Sequence, residues 1–262
     1  MLGVKRFLKN TIRKFGYDLV TYEAVPRATA AELALLSDLS VEERKIIERV
    51  KPLTLTSVER LAALLNAISH ISAHKIPGDI AECGVWRGGS MMAAALALLA
   101  HGDTARKLFL YDTYEGMSPP TEADKSFDGV AATEQLKLAA RGTGVWCCAG
   151  LEDVRTNLLS TGYPEENIHL VKGKVEDTIP RILPEHLALL RLDTDWYEST
   201  KHELTHLFPI LDASGILILD DYGHWLGARK AVDEYFAEQK VRPYLHRIDS
   251  TGRILARNGT HR

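Results

Sequence analysis

Four aspartates in two short segments carry the chemical potential of this chain. Asp193 and Asp195 lie in Leu-Asp-Thr-Asp-Trp, and Asp220 and Asp221 in Ile-Leu-Ile-Leu-Asp-Asp-Tyr-Gly. Each pair ends an apolar run that reads as a buried strand, Leu187 to Leu192 before the first and Gly215 to Leu219 before the second. In an open parallel sheet, ligands bind outside the carboxyl ends of the strands. Carboxylates converging there repel one another unless a cation or a raised pKa relieves them. A hard divalent ion such as Mg²⁺, which takes oxygen ligands, is the simplest relief.

A second constellation precedes them. Glu82-Cys83-Gly84-Val85-Trp86-Arg87-Gly88-Gly89-Ser90 lies where a nucleotide-binding fold places its first strand–helix turn. Gly84 lets the backbone turn tightly, and Gly88-Gly89 are expected to let a ligand approach the main chain. The segment lacks both the G-x-G-x-x-G dinucleotide fingerprint and the Gly-Lys-Ser/Thr ending of a phosphate loop. Glu82 within the first strand and Asp112 at the end of the second instead fit S-adenosylmethionine. Glu82 would lie near its amino acid portion, and Asp112 would accept hydrogen bonds from the ribose hydroxyls, as a carboxylate can from a vicinal diol. On the glycines alone, a helix-capping turn with no ligand explains the segment equally well. Glu176 and Asp177, after the third strand, read either as neighbours of the adenine or as acidic partners of a helix N-terminus.

These residues resemble the macrocin O-methyltransferase (TylF-type) family. The likeness rests on Gly78 to Ser90, Tyr111 to Met117, Ser160 to Pro164, Val171 to Pro180 and both aspartate segments, in order from about Val50 to Lys240. The resemblance implies a class I methyltransferase that uses S-adenosylmethionine and Mg²⁺ to methylate sugar hydroxyls in natural-product glycosides. It also implies that Asp193, Asp220 and Asp221 hold the metal and that Asp195 is the general base. Cofactor contacts are then expected from Glu82, Gly84, Val85, Trp86, Gly88, Ser90, Asp112 and Glu176. Each aspartate alone is explained as a turn or cap residue. Their joint placement after successive strands, with the family likeness, favours the metal and base roles instead. A homo-oligomer is expected from the resemblance alone.

The elements that must position these groups read as an α/β fold. Strands are expected at Asp79–Cys83, Lys107–Tyr111, Ile168–Lys172, Leu187–Leu192 and Gly215–Leu219, with a closing hairpin of Tyr244–Ile248 and Arg253–Ala256. Helices are expected between residues 30 and 75, over Met91–Ala100 and around Ala228–Gln239. This is a doubly wound, Rossmann-like sheet, mostly parallel with an antiparallel terminal strand, plus N-terminal helices. Residues 113–167 form a long, partly helical connection whose first part, with Gly116, Pro119, Pro120 and Gly129, suits an active-site cover. Residues 1–50 read as a basic, helical extension and 51–262 as the methyltransferase domain.

Composition narrows the function classes. A net charge of -3 leaves no electrostatic footprint for nucleic acid. Cys83, Cys147 and Cys148 have no metal-ligand spacing and suggest reduced thiols in a cytoplasmic protein. Residues 1–20 mix Lys5, Arg6, Lys9, Arg13 and Lys14 with apolar positions, a pattern for peripheral membrane contact or for packing on a neighbouring subunit. His224 beside Trp225 reads as packing or surface, and the Cys147-Cys148 pair as packing. Trp196 and Tyr197 read as an acceptor platform or as core. Two other functions are weighed: a metal-dependent phosphohydrolase, opposed by the missing phosphate loop, and a non-catalytic binding protein, opposed by the complete aspartate set. The acceptor, whether glycoside, glycan or nucleotide sugar, is not legible.

Overall fold

Apolar runs bounded by turn residues become strands in the computed structural model, which describes residues 37–138 and 147–257. The strands are β1 (Asp79–Cys83), β2 (Leu108–Asp112), β3 (Ile168–Lys172), β4 (Leu187–Leu192), β5 (Leu211–Leu219), β6 (His246–Arg247) and β7 (Arg253–Ala256). Among the described residues they form one seven-stranded sheet in the order β3-β2-β1-β4-β5-β7-β6. The first five pair in parallel, while β7 runs antiparallel to both β5 and β6. This is the expected doubly wound sheet, mostly parallel with an antiparallel terminal strand, β7.

Alternation along the strands splits the core in two. Ile216 and Ile218 of β5 join one apolar cluster, Leu217 and Leu219 the other, as a two-residue period requires. The first cluster is roofed by α1 (Val41–Val50), α2 (Val58–Ala73), α3 (Gly89–Ala100) and α5 (Leu151–Leu159), α4 (Ala132–Leu138) lying apart from it. Ser40 and Glu43 start α1 with a capping box, and Ser57 caps α2. The sequence of α3, Gly-Ser-Met-Met-Ala-Ala-Ala-Leu-Ala-Leu-Leu-Ala, is apolar nearly all round, which suits a helix buried against its neighbours. The second cluster is covered by the short α6 (Val175–Thr178), by α7 (Tyr197–Leu207) and by α8 (Leu226–Glu238).

Several expected boundaries move: β2 is Leu108–Asp112 rather than Lys107–Tyr111, and the hairpin strand expected at Tyr244–Ile248 shrinks to His246–Arg247. β5 begins at Leu211 rather than Gly215, because Leu211 pairs with Leu187 across a register shift in β4. The N-terminal helical stretch is broken by a 3₁₀ turn at Lys51–Leu53, where Pro52 cannot continue α1. No helix among the described residues is long and apolar enough to cross a membrane. The basic segment 1–20 lies outside the described residues.

Candidate active site

The carboxyl ends of β1, β2, β4 and β5 open into one cavity of about 370 Å³, lined by Gly84, Asp112, Asp193 and Asp220 among others. Gly84 is there because nothing larger fits. Its φ is +81°, and a Cβ on it would overlap the Asp193 carbonyl oxygen. The backbone of β1 thus presses against the end of β4. The amides of Asp193 and Asp220 continue the sheet ladder, donating to Cys83 O at 2.8 Å and Leu192 O at 2.9 Å. Sheet geometry therefore fixes where these two side chains start.

Asp193, Asp220 and Asp221 converge: each offers a carboxylate oxygen, and these oxygens lie within 4.8 Å of one another. Two guanidinium groups answer them. Arg191 lies on Asp193 at 2.8 Å, on Asp220 at 2.6 Å and on Thr56 Oγ1 at 2.8 Å, and pairs closely with Glu82. Arg60 pairs with the other oxygen of Asp220 and reaches Asp249 at 3.0 Å. Burial pushes Asp193 well above the usual carboxylate range; Arg191 opposes this, and Asp220 and Asp221 add to it. Its side chain keeps 27% of its surface open to the cavity, so the group remains reachable. Asp221 is raised by burial and then by Asp195 and Asp220. The cations leave the cluster short of charge balance, and an all-carboxylate donor set of this spacing fits a hard divalent ion.

Asp195 is mounted differently. The chain leaves the strand after Leu192, and Asp195 adopts φ +69°, a left-handed conformation that aspartate tolerates. Its amide donates to Asp221 Oδ2 at 3.3 Å. Its carboxyl is pushed up to about 7 by burial and by Asp193, against hydrogen bonds with Asp221 and the Trp225 side chain. A carboxyl near neutrality beside a cavity suits proton transfer.

The glycine turn sits across the cavity. Asp112 accepts from the amides of Val85 at 2.7 Å, Trp86 at 3.1 Å and Tyr114 at 2.7 Å, so it holds the turn in place. Gly84, Val85, Trp86, Ser90, Asp112 and Glu176 line the cavity; Glu82 and Gly88 do not. Glu82 is instead wholly buried against Arg191, raised to about 7 by burial with Arg191 opposing, and its Oε2 has no partner among the described residues. Gly88 and Gly89 lie outside the cavity lining, against other parts of the protein. A Cβ on Gly88 would meet Leu158 at 2.7 Å, and one on Gly89 would meet the Leu53 carbonyl at 2.5 Å. On the side where a Cβ would stand, these glycines let protein segments close in.

Trp196 is core. It is buried, its indole N–H donates to Ser118 O at 2.9 Å, and its ring meets Trp225 edge-on at 4.9 Å. Tyr197 turns away to Glu234, whereas His224 and Trp225 line the cavity. Cys147 also lines it, and burial with the nearby aspartates pushes its thiol up, away from nucleophilic use. Sequence reasoning missed both arginines. Arg191 hides in an apolar run, and its only signal was a charge amid residues reading as a strand buried on both faces. Buried Glu203, raised well above its usual range by burial and held by the Thr194 hydroxyl at 2.9 Å, was also missed.

The profile of the macrocin-O-methyltransferase (TylF) family matches residues 27–257. A Streptomyces olivaceus relative, named as 8-demethyl-8-(2,3-dimethoxy-alpha-L-rhamnosyl)-tetracenomycin-C 4'-O-methyltransferase, is 36% identical over 199 residues, 76% of this chain and 73% of its own. The mycinamicin III 3''-O-methyltransferase of Micromonospora griseorubida is 29% identical over 247 residues, 94% of this chain and 92% of its own. Among solved structures, the O-methyltransferase NovP superposes with a TM-score of 0.69 at 31% identity, covering 79% of this chain and 82% of that one. The sheet is therefore a class I methyltransferase sheet, and the chain belongs to the macrocin O-methyltransferase family.

Proposed function

We propose that this enzyme transfers the methyl group of S-adenosylmethionine to a sugar hydroxyl of a glycosylated acceptor. Asp195 takes the proton, and Asp193, Asp220 and Asp221 hold a divalent cation such as Mg²⁺. The observation that carries this reading is the placement of Asp195. It sits beside a cluster of three carboxylates, in the same cavity as Asp112 and the first strand–helix turn.

A sugar hydroxyl is a weak acid and a poor nucleophile, whereas a sulfonium methyl is already activated. In the transfer the hydroxyl oxygen bonds to the methyl carbon, the carbon–sulfur bond breaks, and the proton passes to Asp195. S-adenosylhomocysteine leaves as a neutral thioether. A cation in the aspartate cluster would supply stabilisation of the developing alkoxide. Asp112 and the amides it orients support the cofactor's ribose end, with Glu176 beside it. Glu82 acts at one remove, holding Arg191 and through it Asp193 and Asp220. Alignment of the hydroxyl with the carbon–sulfur bond supplies much of the acceleration.

The acceptor class rests on likeness to relatives, one of them named for a rhamnosyl tetracenomycin. Labelled-methyl transfer across a panel of glycosides, lipid-linked sugars and nucleotide sugars tests it, with Mg²⁺ and after exhaustive chelation. Label should appear in a glycoside and vanish on chelation. Full activity without metal would remove the cation from the reading. Label in nucleotide sugars alone would replace the acceptor class.

A further inference from the structure

The helices that follow the two aspartate segments begin in an unusual way. α7 and α8 each have a tryptophan at the N-cap, Trp196 and Trp225, and neither side chain caps its helix. The first N–H groups of a helix need acceptors from outside it, and an indole offers none. Both helices borrow their acceptors from the same short stretch of the β2–α4 connection. Asp124 Oδ1 accepts the Tyr197 amide at 2.8 Å, and the Lys125 carbonyl accepts the Leu226 amide at 2.8 Å. A Ser126–Trp225 bridge and the bond from Trp196 to Ser118 O add further ties.

Asp124 is built into this junction. Its side chain is fully buried, and its Oδ2 takes the Thr121 amide at 2.7 Å and the Thr121 hydroxyl at 2.9 Å. These donors and the Tyr197 amide are all neutral. A buried carboxylate demands good hydrogen bonds, and here helix α7 provides one at its positive end. On the other side, a Cβ on Gly227 would overlap Asp124 Oδ1, so α8 has a glycine where its first turn meets the carboxylate. A serine or aspartate at position 196 would cap α7 locally. The chain instead has an indole there, packed on Trp225, and hands the cap to a segment whose neighbours Gly116, Met117 and Ser118 line the cavity.

We propose that Asp124 is a positioning residue. By capping α7 in trans it fixes the left-handed turn at Asp195, so the proton acceptor is in place only while the 116–126 segment is seated over the cavity. The inference rests on the reading of Asp195 as the base.

Asp124→Ala, Asp124→Asn and Asp195→Asn test it in the full-length enzyme, with two measurements. Amide exchange followed by mass spectrometry needs no acceptor. In Asp124→Ala, protection should fall in the 194–198 peptide and in the 116–126 peptide, and stay unchanged in the strands. Asp124→Asn keeps one acceptor oxygen for the Tyr197 amide and should retain protection at 194–198, while its NH2 group faces the Thr121 amide and protection at 116–126 falls in part. Kinetics use the glycoside that the acceptor panel identifies. Asp124→Ala should lower kcat about tenfold or more, as misplacement of a reacting group does, with KM for S-adenosylmethionine within about twofold. Asp124→Asn should recover most of that loss. Gly227→Ala, which pushes the carboxylate aside without deleting it, should reproduce the exchange and kcat changes and stands in if Asp124→Ala does not fold.

Unchanged protection at 194–198, or loss spread evenly over the protein, would overturn the proposal. So would wild-type kcat in the displaced variants. Asp195→Asn separates the two readings: if it keeps full turnover, the base assignment fails while the exchange result still decides whether Asp124 holds the turn.

Discussion

Nη2 of Arg191 lies 2.6 Å from Oδ1 of Asp220, a buried pair that ties the end of β4 to the end of β5. The same guanidinium meets Glu82 and Asp193, so one cation answers three carboxylates. Removing it leaves buried charges without a partner. Arg191→Met should lower the free energy of unfolding by roughly 3–5 kcal/mol, the range for breaking a buried ion pair from one side. Arg191→Lys, with a point charge in place of a planar fork, should recover only part of it. Urea denaturation of the three proteins checks both statements.

Among the described residues Asp221 has no guanidinium in salt-bridge contact, unlike Asp220, which carries one on each oxygen. Its carboxylate is tied instead to Asp195, whose amide donates to Oδ2 at 3.3 Å, and no side-chain cation there occupies its oxygens. Loss of a supporting group around a metal commonly weakens binding by about 10–100-fold, so loss of a direct ligand, the role proposed for Asp221, should exceed that. Asp221→Asn should therefore weaken Mg²⁺ binding by more than about a hundredfold while leaving S-adenosylmethionine affinity intact. Calorimetric titration with each ligand separately decides it.

Asp112 orients three backbone amides on the side of the cavity proposed for the cofactor. Its substitution disturbs both the proposed ribose contact and the turn itself. Hydrogen bonds to a charged group are each worth about 1.5–3 kcal/mol, so Asp112→Ala should raise the Kd for S-adenosylmethionine by at least about tenfold. An unchanged Kd would remove Asp112 from the cofactor site.

Asp249 gives the fold an acid-sensitive joint. Partial burial works to raise its carboxyl. The Gly252 and Thr251 amides, the Ser57 hydroxyl and the Arg60 guanidinium outweigh that and hold it below the usual carboxylate range. A carboxyl whose pKa falls on folding adds stability that is fully present above its unfolded pKa, about 3.9, and is lost as pH falls through the lower folded value. The stability gap between wild type and Asp249→Asn should hold steady above about pH 5 and close as the solution is acidified below about pH 4. Urea melts over that range measure the gap, and a gap that widens on acidification contradicts the assignment.

The strands at 79–83, 168–172 and 187–192 were legible because apolar runs end abruptly at glycine or aspartate. β5 was read short because Asp212, Ala213 and Ser214 have no strand signature, and only their neighbour's pairing with β4 extends it. The aspartates were legible as strand-end groups. Their counter-charges were not: Arg60 comes from a different helix, and its side chain lies over the cluster only because Gly252 leaves room, a Cβ there meeting Arg60 Cδ at 2.8 Å. Gly84 makes the tight turn read for it, whereas Gly88 and Gly89 were read as opening to a ligand where Leu158 and Leu53 approach, since a sequence shows that a close approach is needed and not what approaches. Asp124 gave no sign at all. In Thr-Glu-Ala-Asp-Lys it looks like a solvated loop residue, and its burial depends on two helix ends that arrive from far along the chain.

The aspartates at the mouth of the sheet hang from unequal supports. Asp193 and Asp220 have their amides in the sheet ladder, whereas Asp195 rides a left-handed turn tied by a 3.3 Å bond to a neighbouring carboxylate. Local opening starts where commitments are fewest. If Asp195 is the base proposed above, warming should silence this enzyme before it melts: the carboxylate corner stays where the strands put it, and the proposed proton acceptor wanders off. Thermal inactivation and thermal unfolding would then be two temperatures, set by different parts of the same short stretch of chain.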